Sequence, residues 1–275
     1  MGYWQVPLII KSNLHSLAHS LKGHVGIEII YGTSDEERYY LTSPHFNFEE
    51  HEYEEAYYTA KGLLYIVNGV LKLFGISKFE PYQEEVMWRI NEDEAHNYPI
   101  YVSNKEKMYE KILNPFISYE TEVTKNGISD YVKLAYDNDL IREVFILYNL
   151  SQEDPLYFLA NVYKIQEIID FDKNNSDIEG LQNEELNILL KKNKKFNRYI
   201  NTRDGSKIFS RHGAAKEKGP EEAPLFEDIN TNTVNLIHKW IDIHLEDAYK
   251  IRYNKSYKPG EILEPMTDED YDYFL

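Results

Sequence analysis

The sequence predicts an α+β protein in which a small antiparallel sheet with a covering helix precedes an all-helical bundle. Three observations predict this fold class. Short β-branched and aromatic runs lie at residues 3–10, 25–31 and 38–41, as is typical of strands. An apolar stripe with helical spacing then runs through residues 50–75. From Ser129 onward, helical patterns follow one another without strand signals, which separates the two parts of the fold.

The first predicted domain covers residues 1–126 and combines the sheet with one long helix. The acidic residues at the start of that helix suit its positive end. Gly62 and Gly69 share one side of it, which indicates close packing against the sheet. Residues 79–104 predict a hairpin, and the alternating segment 117–124 predicts one more strand.

The second predicted domain covers residues 127–255 and contains only helices. Its first helical pattern is interrupted near its middle, at AYDNDLI, which indicates two pieces. The next helix begins near Asp154-Pro155, with Ser151 as the candidate cap. Later apolar stripes predict a helix over 183–192, with a short continuation that carries Phe196, Tyr199 and Ile200, and a closing helix over 231–252.

Composition excludes several classes of site. Cysteine is absent, which excludes disulfides, thiolate zinc sites, iron–sulfur clusters and cysteine nucleophiles, and favours a reducing cytoplasm. No apolar run approaches the roughly 18 residues of a membrane helix. The N-terminal segment lacks the basic region of a signal peptide. We therefore expect a cytoplasmic protein with no membrane segment, and we predict no cofactor.

Three histidines near the N-terminus are the one cluster that bears on a metal site. His15 and His19 are four residues apart, which on a helix places them on one face, and His24 follows. No nearby acidic residue completes a metal-binding motif. We interpret all three as surface histidines and predict no metal. Whether they converge on one point stays open.

The charge distribution is strongly uneven. Residues 191–218, called the basic segment here, carry ten basic and two acidic residues, a net charge of +8, whereas the whole chain carries −17. The other residues therefore carry −25. A field this uneven favours an anionic partner, with RNA as one candidate. The candidate anion- or RNA-binding residues are Lys194, Lys195, Arg198, Arg203, Lys207 and Lys216.

A simpler interpretation of the same charges is that they are solvated or paired within the chain. Glu167 lies beside an apolar helix face, and Arg211 is its candidate partner if it is buried. Residues 256–275 form an acidic tail that contains aromatic residues. We expect this tail to be either disordered or folded back onto the basic segment.

The second half of the chain resembles a known family. The segment LYFLANVYKIQEIID, the run from RYINT to FSRHG, and the closing helix with Trp240 are similar to a set of bacterial proteins and, more loosely, to HEPN helical bundles. The resemblance covers residues 130–252. Many HEPN proteins are metal-independent ribonucleases of prokaryotic defence and toxin systems. Their mark is an Arg and a His separated by a few residues.

In this chain the resemblance implies Arg211 and His212 as catalytic candidates. A ribonuclease of this kind needs a base for the 2′-hydroxyl proton and a cation for the charged phosphorane. These two residues are adjacent, and Arg203 precedes His212 by more residues than the family spacing allows. Adjacent helical residues point about 100° apart, so a loop or a homodimer would have to bring such groups together.

Three functions remain open at this point. The first is a two-part interaction or sensing protein, associated with defence if the resemblance holds, whose basic segment binds an anionic ligand or a partner protein. The second is a metal-independent ribonuclease that uses His212 and Arg211. The third is an acidic decoy that mimics nucleic acid, for which the charge outside the basic segment is the motivation.

Overall fold

The structure is a computed structural model that describes residues 3–9, 21–31, 37–81, 86–91, 94–99, 105–119, 121–123, 127–211 and 218–251. The described chain forms two compact units that divide between Asp137 and Asn138. The first unit contains an antiparallel sheet and helices, and the second unit contains helices without a strand among its described residues. The α+β fold class predicted from the sequence is therefore confirmed.

The sheet of the first unit has six described strands. They are β1 (Tyr3–Ile9), β2 (Gly26–Tyr31), β3 (Glu37–Thr42), β4 (Glu80–Pro81), β5 (Val86–Asn91) and β6 (Glu94–Pro99). Their order is β2-β3-β1-β5-β6, with β4 also paired to β1, and every pairing is antiparallel. The central strand β1 is buried along most of its length, including Trp4 and Gln5. Such burial on both faces suits its apolar sequence.

Three α-helices lie in the described residues of the first unit. They are α1 (Tyr53–Leu73), α2 (Lys105–Leu113) and α3 (Gly127–Asp137). Helix α1 contacts β5 and the two 3₁₀ turns that follow β3, and both α2 and α3 pack against it. Asn68 of α1 fixes the chain before β4, because its side chain exchanges two hydrogen bonds with the backbone of Phe79 (2.8 and 3.0 Å).

Three sequence predictions for this unit differ from the structure. The division falls after Asp137 instead of after residue 126, because α3 packs on α1. Residues 117–119 and 121–123 lie in no strand, although their alternation predicts one. Gly62 faces helix α2 instead of the sheet: a Cβ there would lie 2.9 Å from the backbone of Ile112.

The second unit contains five described α-helices. They are α4 (Asp139–Glu153), α5 (Pro155–Asn175), α6 (Glu184–Asn201), α7 (Arg203–Ser206) and α8 (Phe226–Tyr249). The predicted interruption near AYDNDLI is present, and Asn138 caps α4 there by accepting from Leu140 N and Ile141 N. The cap of α5 is Asp154, which accepts from Leu156 N, whereas Ser151 lies inside α4 and donates to Tyr148 O.

The core of the second unit lies between α4, α5, α6 and α8. Trp240 on α8 and Ile165 on α5 are completely buried. A smaller apolar cluster joins the start of α5 to the end of α6 and includes Leu159 and Ile200. Because this cluster lies directly under the chain that follows α6, it sets the position of the basic segment.

Candidate anion-binding surface

The basic segment occupies the second half of α6, helix α7, the 3₁₀ turn Lys207–Phe209 and the chain at its two sides. Residues 212–217 lie outside the described residues. Two of the predicted site residues, His212 and Lys216, therefore lie outside the described residues. The other predicted site residues are all described, and all are exposed.

Helix α6 presents its cations to solvent because its opposite side is fixed in the core. Leu186 and Leu190 are buried, and so is the amide of Asn193. That amide donates to Asn232 O (3.3 Å) and accepts from Thr233 Oγ1 (3.4 Å), both on α8. Because this face of α6 packs in the core, the Lys residues on its other faces point toward solvent.

The cations of the segment fall into two groups. Some have partners: Lys194 Nζ lies 2.8 Å from Asp170 Oδ2, and Lys207 Nζ lies 4.0 Å from Asp204 Oδ1. Others have none among the described residues and are exposed. These free cations are Lys191, Lys192, Lys195 and Arg203. Lys195 and Arg203 were predicted as anion-binding residues, whereas the predicted Lys194 and Lys207 already contact carboxylates.

Arg211 is fixed by three contacts within the second unit. Its backbone N–H donates to Ile200 O (2.8 Å). Its guanidinium carbon lies 4.0 Å from the centroid of the Tyr163 ring, a cation–π geometry. Its Nη2 lies 3.7 Å from Glu167 Oε2. The predicted pairing with Glu167 is therefore present, although Glu167 is exposed, so burial is not what requires it.

The other end of the basic segment is closed by polar contacts to α6 and α7. Arg198 Nε donates to Lys218 O (2.9 Å), and Gly219 N donates to Asp204 Oδ2 (3.0 Å). Gly219 lies directly against Gly205, where an added Cβ would be 2.6 Å from Gly205 N. Only glycine permits this close approach. Arg211 and Lys218 are thus both held against the end of α6.

These contacts bear on the ribonuclease hypothesis. The Arg211 guanidinium, which would stabilise a phosphorane, already contacts a carboxylate and an aromatic ring. Its partner in that hypothesis, His212, lies outside the described residues. The described geometry provides cations that can contact phosphate or carboxylate. The carboxylates of Glu167, Asp170 and Asp204 lie beside cations of the segment and form ion pairs with them.

A buried histidine pair in the first unit was missed by the sequence interpretation. His24 is buried instead of lying on the surface, and its Nδ1 lies 2.8 Å from Nε2 of His45, which is also buried. His24 Nε2 lies 2.8 Å from Thr121 Oγ1, and Ile117 N donates to His45 Nδ1 (3.2 Å). The ring of Tyr136 stacks on His24 at 4.5 Å.

The backbone fixes the tautomers of this pair. Because Ile117 N–H donates to His45 Nδ1, that imidazole carries its proton on Nε2 and donates to His24 Nδ1; His24 then donates to Thr121. The pKa of His24 is lowered to about 4, chiefly by burial and also by the Lys133 ammonium, against the opposing effect of the Asp137 carboxylate. Burial and the neighbouring His24 likewise lower the pKa of His45 to about 4, against the bond from Ile117. Both rings are therefore neutral at pH 7.

A second buried polar cluster lies in the core of the second unit. The carboxylate of Asp172 accepts from Trp240 Nε1 (2.7 Å) and lies 2.8 Å from His244 Nε2. Burial alone would raise the pKa of Asp172, but the hydrogen bonds from His244 and Trp240 lower it below its ordinary value. His244 is buried, and His238 on the same helix is half-buried.

Neither the His24–His45 pair nor the cluster around Asp172 forms a metal site. Within the described parts of the chain, no three His, Asp or Glu side chains converge in a way that could hold a metal ion. His15 and His19 lie outside those parts, so the arrangement of the three N-terminal histidines is not described. No helix in the described ranges has the length and apolar character needed to cross a membrane.

Comparison with known proteins gives no match. No protein-family model, no curated protein and no solved structure is similar to this chain.

Proposed function

We propose that the protein is an interaction protein whose helical second unit binds an anionic partner through the basic segment. The observation that carries this proposal is the set of free cations on α6 and α7, at Lys191, Lys192, Lys195 and Arg203. These four exposed cations, which have no partner in the described part of the chain, lie on one short stretch and repel each other, and an anion relieves that repulsion.

Further support comes from the way the surface is held. Asn193 fixes α6 to α8, and the close approach of Gly219 to Gly205 fixes the chain beyond α7. A surface that is held in place before binding loses little conformational entropy when a ligand arrives. The resemblance of residues 130–252 to HEPN bundles makes RNA one candidate anion, and an acidic protein is another.

The test is a binding titration with two polyanions, fluorescein-labelled oligouridylate and poly-glutamate, followed by fluorescence anisotropy in dilute salt. The variant Lys191→Glu/Lys195→Glu/Arg203→Glu should bind at least about tenfold more weakly than the wild type. The matched control is Lys22→Glu/Arg38→Glu/Lys61→Glu, which changes the net charge equally but lies in the first unit. Equal weakening in both variants would mean that only net charge matters.

The ribonuclease alternative is separated by a second assay. The wild type and His212→Ala are incubated with a mixed RNA pool in the presence of EDTA. Binding without cleavage supports the interaction function. Cleavage by the wild type that is lost in His212→Ala, with an unchanged melting temperature, would instead assign catalysis to Arg211 and His212. The acidic decoy predicts binding to a basic protein, such as a histone mixture, in place of binding to either polyanion.

A further inference from the structure

Exposed apolar residues directly follow α7 and directly precede α8. Ile208 is 77% exposed and follows Lys207, while Leu225 is 66% exposed at the start of α8. Their chain neighbours join them, because the rings of Phe209 and Phe226 meet edge to face at 6.0 Å. We call Ile208, Phe209, Leu225 and Phe226 the apolar patch.

The apolar patch rests on a rigid base. Phe226 also contacts Phe158 of α5, with ring centroids 5.5 Å apart, and Phe209 packs on the cluster that contains Leu159 and Ile200. The base is therefore fixed, while the tips of Ile208 and Leu225 extend into solvent. Exposed aliphatic side chains beside rigidly packed aromatic rings are typical of surfaces that bind the apolar side chains of a partner.

The charges around the patch differ between its two sides. Along the chain, Lys207 directly precedes Ile208, Arg203 begins α7, and the free lysines of α6 come before it. Next to Leu225 and Phe226 along the chain lie exposed acidic residues, among them Glu222 and Glu227. An acidic ligand is therefore attracted toward α6 and α7 and repelled from the start of α8, so it approaches the patch from one direction.

We propose that the anionic partner is an acidic peptide segment that also carries apolar side chains, with its carboxylates on the free cations and its apolar groups on the patch. This proposal rests on the proposed function and specifies its ligand. It is favoured over single-stranded RNA because Ile208 and Leu225 are aliphatic and cannot stack on bases. The aromatic rings of the site are already engaged: Phe226 contacts two rings, and Arg211 covers a face of Tyr163.

The test uses three fluorescein-labelled probes of equal net charge. The first is a peptide that alternates Asp or Glu with Leu or Phe. The second has Ser at every Leu and Phe, and the third is an oligouridylate. The full chain should bind the first probe at least about tenfold more tightly than the second, the factor that corresponds to burial of roughly 60 Å² of apolar surface.

The variant Ile208→Ser/Leu225→Ser removes only exposed apolar groups, so the fold should persist. It should lower affinity for the first probe to the level of the second and leave the second unchanged. The matched control is Phe171→Ser, an exposed apolar residue of α5 outside the patch, which should change neither affinity. Equal binding of the two peptides, or tighter binding of oligouridylate, would overturn the inference.

These outcomes are distinct from a failure of the proposed function. If the basic segment does not bind anions, all three probes bind weakly and the charge-reversal variant Lys191→Glu/Lys195→Glu/Arg203→Glu changes none of them. If it binds anions without using the patch, charge reversal weakens all three probes, and Ile208→Ser/Leu225→Ser weakens none.

Discussion

Arg211 lies over the ring of Tyr163, with its guanidinium carbon 4.0 Å from the ring centroid. The same guanidinium reaches Glu167 at 3.7 Å, and both partners lie on α5. The chain that leaves α7 is thereby tied to α5 at the point where it passes the end of α6. A cation that is already engaged in this way positions the segment, and binding of an outside anion falls to the free cations nearby.

The two side-chain contacts of Arg211, with Tyr163 and with Glu167, should contribute unequally to the free energy of unfolding. Replacing Glu167 with Gln should change the free energy of unfolding by less than about 1 kcal/mol, because an exposed ion pair gains little in water. Replacing Tyr163 with Ala should cost more, since it also removes a partly buried ring from the apolar cluster. Urea denaturation of both variants measures the difference, and an equal loss would contradict this account of how Arg211 is held.

The buried pair His24 and His45 should make stability depend on pH. Both folded-state pKa values are about 4, below the ordinary 6.5. The unfolded chain therefore binds more protons between these values. The stabilisation is full above pH 6.5 and is lost as pH falls toward 4, by on the order of 2 kcal/mol per histidine.

Urea denaturation at pH 7, 5.5 and 4.5 tests this dependence. His45→Gln should flatten the pH profile, whereas His51→Gln, a substitution of an exposed histidine, should keep the wild-type slope. A wild-type profile with no loss of stability across this range would contradict the lowered pKa values of the two buried imidazoles.

Asp172 should be a strong determinant of the stability of the second unit. Asp172→Ala removes the acceptor of both Trp240 Nε1 and His244 and leaves buried donors without a partner, at a cost of about 2–4 kcal/mol. Asp170→Ala is the matched control, because its exposed pair with Lys194 should be worth less than about 1 kcal/mol. Denaturation followed by tryptophan fluorescence compares them, and similar losses would contradict the structural role of Asp172.

Substitution of Gly219 should change the shape of the basic segment while its net charge stays the same. Its Cβ in Gly219→Ala would lie 2.6 Å from Gly205 N, so the chain must shift, at a cost of about 1–3 kcal/mol. The shift should weaken polyanion binding. In Gly180→Ala the new Cβ would instead meet the Ile243 side chain. This control should lose stability but keep binding, and weakened binding in both variants would indicate a general effect.

The fold class could be predicted from the sequence because periodicity reports burial directly. The stripe of α1 and the β-branched run at Gly26–Tyr31 each carry their signal within a single element. The pairing of Arg211 with Glu167 is present, but the reason expected for it does not hold, because Glu167 is exposed.

Long-range packing was not predictable. Helix α3 has the sequence pattern of a bundle helix, and only its contact with α1 places it in the first unit. The pairing of His24 with His45 depends on a turn after β3, at Pro44–Phe46, and on the backbone N–H of Ile117, which lies far along the chain. No spacing in the sequence encodes such a contact. Which lysines are free likewise depends on where acidic residues of α5 lie.

The most direct test of the central claim is lysine footprinting by acetylation and mass spectrometry, with and without a saturating acidic probe such as poly-glutamate. The account predicts that Lys191, Lys192 and Lys195 become shielded, while the exposed Lys22 of the first unit stays as reactive as before. Protection spread evenly over all exposed lysines, or centred outside residues 191–218, would contradict the assignment of this surface as the anion-binding site.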